Sequence, residues 1–536
     1  MKISILKLFL SLPLFLCGAA CNNNDEAPPQ EDILEFVSGV NSNNELNVSA
    51  AEETKSIVVK ASQRPEVVGP ASWVYANASE LIYPSRNSTI TFTISPNPDT
   101  QNARSAPFTI SVGSKNLHLT LIQAKAEISN EDEGKTDEEE KSFAPWINPE
   151  PCEISGNTAR EVALSLGAGW NLGNQMDAYA NGVSSETCWG NRMATQSLFD
   201  SLKAHGFSSV RIPVTWLGHI GNAPDYKIED SWINRVVELV EMAEKAGLNA
   251  IVNIHHDGAN SKHWLNIKEA ALNADTNSEI KAEIKAVWTQ IADAMKNKGN
   301  FLMFEGFNEI HDGGWGWGEN LTDGGKQYKC MNEWNQTFVD AVRSTGGNNA
   351  SRWLAVPSYV ANINLAVDGS MKLPSDPSNK LMVAVHFYDP NDFALNSLVS
   401  DWGHTGDPTK KGSAVQDEDY VRSQFAKLTS TWVDKGVPVY VGETGPSNAA
   451  TDRGNKFRNY YLEYLYRAAR EAGLAAFYWD NGAVGKGTDK FGMFDHGDGS
   501  VINDSGDAIF SLLRGATCID PGYSLSWVYG SAAPDL

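Results

Sequence analysis

The chain has 536 residues, of which 41% are hydrophobic and 20% charged, and its net charge is −23. That length exceeds one ordinary core and predicts about two to four domains. The excess of acid excludes nucleic acid and other polyanions as partners, because such binding rests on Lys and Arg neutralising phosphates.

The first segment, MKISILKLFLSLPLFLCGAAC, carries Lys2 and Lys7, an apolar run from Leu8 to Leu16, and small residues before Cys21. The run is about half of the roughly 20 residues a spanning helix needs, so it reads as an export signal. Its end, GAAC, resembles a bacterial lipoprotein signal, although Gly18 stands where such signals more often carry Leu. The resemblance implies a leader over residues 1–21, a lipid on Cys21, and an outer-membrane lipoprotein at the cell surface. Cleavage nearby, with Cys21 an ordinary cysteine, is the alternative. The polar NNNDEAPPQED that follows suits a tether.

Residues 34–125 alternate apolar and polar in stretches such as STITFTISP and FTISVGSKNLHLTLIQA, separated by Gly, Asn, Pro and Ser. Strands with one buried face have this pattern, and about 90 residues of them predict a small all-β, immunoglobulin-like sandwich. The segment RSAPFTISVGSKNLHLTLIQ resembles the BACON domain of Bacteroidetes enzymes. Two roles are open, a carbohydrate-binding module and a spacer. The spacer is favoured, since Trp73 is the one tryptophan here and sugar platforms need exposed aromatics.

Residues 126–146 contain EISNEDEGKTDEEEKSFAPW, too acidic and too poor in apolar side chains to fold alone, and are expected to be a linker. Beyond it, residues 147–536 hold 14 of the 16 tryptophans. Four cysteines remain once Cys17 and Cys21 are set aside: Cys152, Cys188, Cys330 and Cys518. Their spacing lacks the C-x-x-C of a zinc site. Export permits disulfides, and Cys152 with Cys518, near the two ends of this region, is one candidate pair.

Within it an amphipathic helix runs four times into a glycine and a short apolar strand: LFDSLKAHGFSSVRIPV, VVELVEMAEKAGLNAIVNIHH, LTSTWVDKGVPVYVGE and YLYRAAREAGLAAFYWD. In the second, Trp232, Val236, Val240 and Ala243 share a helix face, Asp230 is expected to cap its start, and Gly247 to end it. Strands buried on both faces and alternating with helices predict a parallel sheet. The further strands LGAGWNL, FLMFEGF, RWLAV and LMVAVHF bring the count to eight, which closes a (β/α)8 TIM barrel. An open doubly wound sheet is the alternative, but GAGWNLGN lacks the spacing of a nucleotide loop.

In such a barrel the C-terminal strand ends converge on one mouth. Here those ends carry Asn171 and Asn174, Arg211, His255 and His256, Asn308 and Glu309, His386 and Tyr388, Glu443, then Trp479 and Asp480. Glu309 and Glu443, on the fourth and seventh strands, would face each other. Glycoside hydrolysis needs such a pair, one acid to protonate the leaving oxygen and one carboxylate to attack or to activate water. Asn308 could hold a sugar hydroxyl, Arg211 and Tyr388 could keep Glu443 ionised, and the charge of Glu443 should raise the pKa of Glu309.

Plainer readings exist for each residue. A glutamate at a strand end is more often a surface carboxylate, and Trp232 and Trp288 on helix faces are core. His255 and His256, with Asp257, could be hydrogen-bonding groups or metal ligands, but no H-E-x-x-H helix accompanies them. Trp315 and Trp317 in DGGWGWGEN are better placed as exposed platforms.

The segment LMFEGFNEI resembles the signature of glycoside hydrolase family 5, with Ile310 where proline is usual. GWNLGN, VRIPVTW, NIHHDG, VHFYDP, VGETG and FYWDNG follow the family's order, and together they are similar to its subfamily 4. The resemblance implies a retaining mechanism with Glu309 as acid/base and Glu443 as nucleophile. It places Arg211, His255, Asn308, His386, Tyr388 and Trp479 around them, with His256 kept beside His255. Asn174, Trp216, Trp315, Trp317 and Asp480 are expected to bind substrate, and no metal or organic cofactor is expected. The implied substrate is a β-1,4-glucan, xyloglucan first, cellulose-type or mixed-linkage glucan second and mannan third, acted on by a monomer. A surface glycan-binding protein is the rival from another class; it would be expected to lack one of the glutamates. A phosphate-handling barrel would want a clearer anion nest than GETGPSNAATDRGNKF offers.

Overall fold

Along Asn87–Ile94 the alternation of residue type turns Ser88, Ile90, Phe92 and Ile94 inward, all fully buried. A computed structural model describes residues 32–125 and 143–535, apart from 51–52, 70–72, 80, 82–84, 95–96, 98–101 and 413–414. The leader with Cys21 and residues 126–142 of the acidic linker lie outside the described residues. The chain divides into two compact units at residue 132.

Among the described residues the first unit is two four-stranded sheets. One runs Leu34–Ser38, Glu53–Ala61, Asn87–Ile94, Val74–Ala78; the other runs Glu45–Val48, Lys115–Gln123, Arg104–Val112, Glu66–Val68. Phe92 of one sheet meets Phe108 of the other edge to face, with ring centroids 5.2 Å apart. Ile57, Val59, Ile110, Leu119 and Leu121 complete the layer between them.

The second unit is a closed barrel of eight parallel strands: β1 Ala168–Leu172, β2 Ser209–Ile212, β3 Asn249–Asn253, β4 Leu302–Glu305, β5 Leu354–Asn362, β6 Leu381–Phe387, β7 Val439–Thr444 and β8 Ala475–Asp480. Outside it lie α1 Gln196–His205, α2 Asp230–Ala246, α3 Ala274–Ala294, α4 Lys326–Ser344, the short α5 Ile363–Val367, α6 Glu418–Thr431, α7 Asp452–Ala472 and α8 Gly506–Thr517. The period of two along each strand divides the core. Ile251, Met303, Ala355, Met382, Tyr440 and Phe477 pack together in one cluster, while Val210, Val252, Phe304 and Val356 belong to another shared with the helices. Gly169 is required here, since a Cβ on it would stand 2.2 Å from the Phe477 ring.

Trp232, Val236, Val240 and Ala243 of α2 are buried, and Gly247 ends the helix at φ +75°. Its start differs from expectation: Glu229 is the cap position, and Asp230 is the first helical residue, paired with Lys227. The body also begins earlier than the linker reading placed it. Phe143 is buried against Tyr523 and Trp527, at ring distances of 5.3 and 4.8 Å. Cys152 and Cys518, the one candidate disulfide pair considered, are not joined. Among the described residues Cys152, Cys188, Cys330 and Cys518 are all free, and Cys152 Sγ lies 3.4 Å from Lys203 Nζ.

Candidate active site

Arg211, inward on β2 and fully buried, organises the barrel mouth. Its Nε and Nη2 donate to the two oxygens of Glu305 at 2.7 Å each, Nη1 donates to Glu443 Oε1 at 2.7 Å and Asn171 Oδ1 at 2.9 Å, and Nη2 also donates to Asn308 Oδ1 at 2.7 Å. All five guanidinium N–H groups are thereby used, which fixes the plane in which Glu443 and Asn308 stand. Asn308, with its oxygen engaged, keeps its amide N–H groups for another acceptor.

Glu443 receives a second bond from Tyr388 Oη at 3.1 Å. Glu309, just past β4, accepts from His386 Nδ1 at 2.7 Å, and the same nitrogen lies 3.7 Å from Glu443 Oε2. One atom each of Glu309, His386 and Glu443 lie within 4.8 Å of one another. Such closeness suits a pair in which one carboxylate attacks directly; an inverting pair stands about 6.5–9.5 Å apart to admit water.

Burial acts to lower the His386 pKa, but the charges of Glu443 and Glu309 outweigh it and raise it. Burial lifts Glu443 above the usual carboxylate range, against the opposing charges of His386 and Arg211. For Glu309 the expected upward shift is reversed, because the bond and charge of His386 outweigh burial and draw it down. The two directions match: the bond between His386 and Glu309 favours the charged form of each.

The two adjacent histidines part company. His255 stacks on Trp479 at 5.7 Å with the rings 8° from parallel, takes a hydrogen bond from Asn253 on Nδ1, and brings Nε2 to 3.9 Å from Glu443. Burial holds its pKa well below normal, so it is neutral. His256 turns to Asp177, at 3.5 Å. Asp257 joins neither histidine as a ligand, since its carboxylate accepts from Trp216 N and Trp264 Nε1. Among the described residues, Asp177 with His255 and His256 is a set whose atoms, within 4.8 Å, could hold a metal ion.

Two residues expected to bind substrate do not face the mouth. Trp216 is fully buried and donates Nε1 to Asn253 O at 3.1 Å, because the chain leaving β2 turns under Asp257. Asp480 is fully buried too, its carboxylate accepting from Trp170 Nε1, Gly482 N, Met493 N and Phe494 N. It ties down the loop after β8. Asn174 is half-buried at φ +53°, with its carbonyl bonded by Asn191. Trp315 is 55% exposed and lines a cavity with Glu309, His386 and Tyr388; Trp317 is 83% exposed.

Glu305 and Tyr440, whose hydroxyl donates to Glu305 at 2.6 Å, belong to the site without a motif that marks them. Glu305 sits four residues before Glu309 in the same stretch, and only the inward parity of β4 sets it apart. Tyr179, Trp189 and His263 were also missed. They cluster against His256, with Tyr179 centroids 5.6 Å from Trp189 and 5.1 Å from His263.

Comparison with known proteins agrees with this geometry. The model of the cellulase family, glycosyl hydrolase family 5, matches residues 174–485, and the BACON model matches residues 60–124. A solved broad-specificity endoglucanase of subfamily 4 from Bacteroides salanitronis is 56% identical, with a TM-score of 0.67 over 68% of this chain and 97% of that one. A xyloglucan-specific endo-β-1,4-glucanase of Bacteroides ovatus is 30% identical across 95% of this chain and 96% of its own length. Endoglucanase A of Paenibacillus barcinonensis is 36% identical over 64% of this chain and 88% of that protein. The chain belongs to glycosyl hydrolase family 5 and is an O-glycosyl hydrolase that carries a BACON domain.

Proposed function

We propose that the protein is a retaining endo-β-1,4-glucanase whose preferred substrate is xyloglucan, with mixed-linkage or cellulose-type glucan as the second choice. The single observation that carries it is the Glu309–His386–Glu443 cluster, with its carboxylates within 4.8 Å. Glu443, aimed by Arg211 and Tyr388, attacks the anomeric carbon. Glu309 protonates the departing glycosidic oxygen with the proton that reaches it along the 2.7 Å bond from His386. The C–O bond breaks and a glycosyl ester forms on Glu443. Water then gives a proton to Glu309 and attacks the same carbon, freeing Glu443 with net retention.

Asn308 donates to a hydroxyl of the sugar being cut. His255 and Trp479 supply the wall beside Glu443, and Trp315 and Trp317 the outer platform. The xyloglucan preference draws on the Bacteroides ovatus relative, which matches nearly the whole chain. The leader ending in Cys21 supports export and a lipid anchor at the outer-membrane surface, and the single tryptophan of the β domain, Trp73, supports its role as a spacer.

Initial rates on tamarind xyloglucan, barley β-glucan, carboxymethylcellulose and galactomannan, with Glu443→Ala in parallel, test this reading. We expect a preference for xyloglucan that disappears in the variant. Binding without hydrolysis of any of them would return the protein to the class of surface glycan binders.

A further inference from the structure

Behind His255 the hydrogen bonds decide where a proton sits. Asn253, the last residue of β3, is fully buried, and the neighbours of its side chain can each play one role only. Its Oδ1 accepts from Val214 N at 3.0 Å, and a backbone N–H group only donates. Its Nδ2 donates to Glu305 Oε1 at 3.3 Å. Glu305, which burial would neutralise but Arg211 keeps charged, only accepts. The reverse orientation of the amide would set Nδ2 against an N–H group and Oδ1 against a carboxylate, so it is excluded.

The second hydrogen of Nδ2 faces His255 Nδ1 at 3.2 Å. An amide nitrogen has no lone pair to offer, so His255 Nδ1 accepts and carries no proton. Burial keeps the ring neutral, and its one proton is therefore on Nε2. Trp479, stacked 8° from parallel, holds the plane of the ring, and a half-turn within that plane would set a C–H group against the amide. Nε2 stands 3.9 Å from Glu443 Oε1, too far for a hydrogen bond, so Glu443 has a protonated ring nitrogen as its neighbour and does not spend that proton.

We propose that Asn253 is a positioning residue for the reaction: it keeps the His255 proton on Nε2, so that the charge of Glu443 stands beside an N–H group and not beside a lone pair. Glu305 then anchors two routes to Glu443, one through Arg211 and one through Asn253 and His255. The same placement takes His255 out of the set with Asp177 and His256 as a metal ligand, because one ring nitrogen has spent its lone pair on Asn253 and the other on a proton. The proton placement is independent of the substrate, and only the rate measurement below rests on the endo-β-1,4-glucanase reading.

Imidazole nitrogen NMR of the full chain with isotope-labelled histidine, the His255 signals assigned through His255→Gln, reads the tautomer directly. At neutral pH the wild-type protein should show a protonated Nε2 and a bare Nδ1. Asn253→Ala frees Nδ1, and the two signals should move toward each other as both tautomers become populated. The same variant should lower kcat/KM on barley β-glucan about tenfold, the worth of roughly one hydrogen bond. A wild-type proton on Nδ1, a charged ring, or signals that Asn253→Ala leaves unmoved would overturn the placement, and the wild-type signals decide it even where the variant does not fold. An unchanged kcat/KM beside moved signals would overturn the bearing of Asn253 on Glu443. A wild-type protein inactive on glucans would overturn the glucanase reading, and the NMR signals would still decide the tautomer.

Discussion

Arg211 uses every N–H group it has, and its two carboxylate partners receive different treatment. Glu305 takes two of the bonds, gains a third from Tyr440 and is held in its charged form; burial acts against this, and Arg211 overcomes it. Glu443 takes one bond from Arg211 and stays above the usual carboxylate range because burial prevails. Glu443→Ala should reduce kcat on the order of 10⁴-fold, the loss typical of removing a covalent nucleophile, measured on soluble glucan. Glu443 attacks only when ionised, so kcat/KM should fall on the acid side as Glu443 takes up a proton. Tyr388→Phe removes a donor to the ionised form, raises that pKa further and should move the acid limb to higher pH. An acid limb that stays in place would show that Tyr388 does not tune Glu443. On the alkaline side the rate falls as the proton shared by His386 and Glu309 is lost. That Glu309 and Glu443 meet at the barrel mouth was legible from strand order and family motif. Trp216 and Asp480 were misread because position near a strand end says nothing of whether the next side chain faces the mouth or the wall.

At the scale of elements, the strands and α2 could be read from periodicity, since Val236, Val240 and Ala243 recur at helical spacing and Gly247 ends the run. The connection between α4 and β5 could not. Arg352, in that connection, is buried and donates to the carbonyls of Met295, Lys298, Gly299 and Leu302 and to Asn349 Oδ1. Its four carbonyl partners lie 50 to 57 residues earlier, so no local pattern marks it. It joins the end of α3 to the start of β4, the strand that delivers Glu305 and Asn308 to the mouth. Arg352→Met should destabilise the protein by about 3 kcal/mol, because several buried carbonyls lose their donor at once. Urea denaturation followed by tryptophan fluorescence measures it, and a loss under about 1 kcal/mol would mean that water replaces the guanidinium. The bulge of β5 against β6, where Val360 and Ala361 both stand at φ +51°, was equally hidden, since neither is a turn residue that would announce it.

For the molecule as a whole, each unit has its own core, and the residues around Glu309 and Glu443 all come from the second. A chain starting just before Phe143 should keep kcat/KM on soluble xyloglucan within about twofold of the full protein, as expected of an independently folded domain. A fall of about tenfold or more would make the β domain part of substrate binding and retire the spacer reading. The two-unit organisation was legible because strand-only and helix–strand patterns differ along the chain. The start of the barrel unit was not, because Phe143 lies inside the acidic composition that hides it.

A retaining mechanism requires Glu443 to form a covalent bond to the sugar. Incubation with a 2-deoxy-2-fluoro-glycoside of a β-1,4-glucan oligosaccharide bearing a good leaving group, followed by peptide mass spectrometry, addresses it directly. One added glycosyl group is expected on the peptide that carries Glu443, and none in Glu443→Ala. A label on any other residue, or hydrolysis that gives the α-anomer first with no adduct, would contradict it.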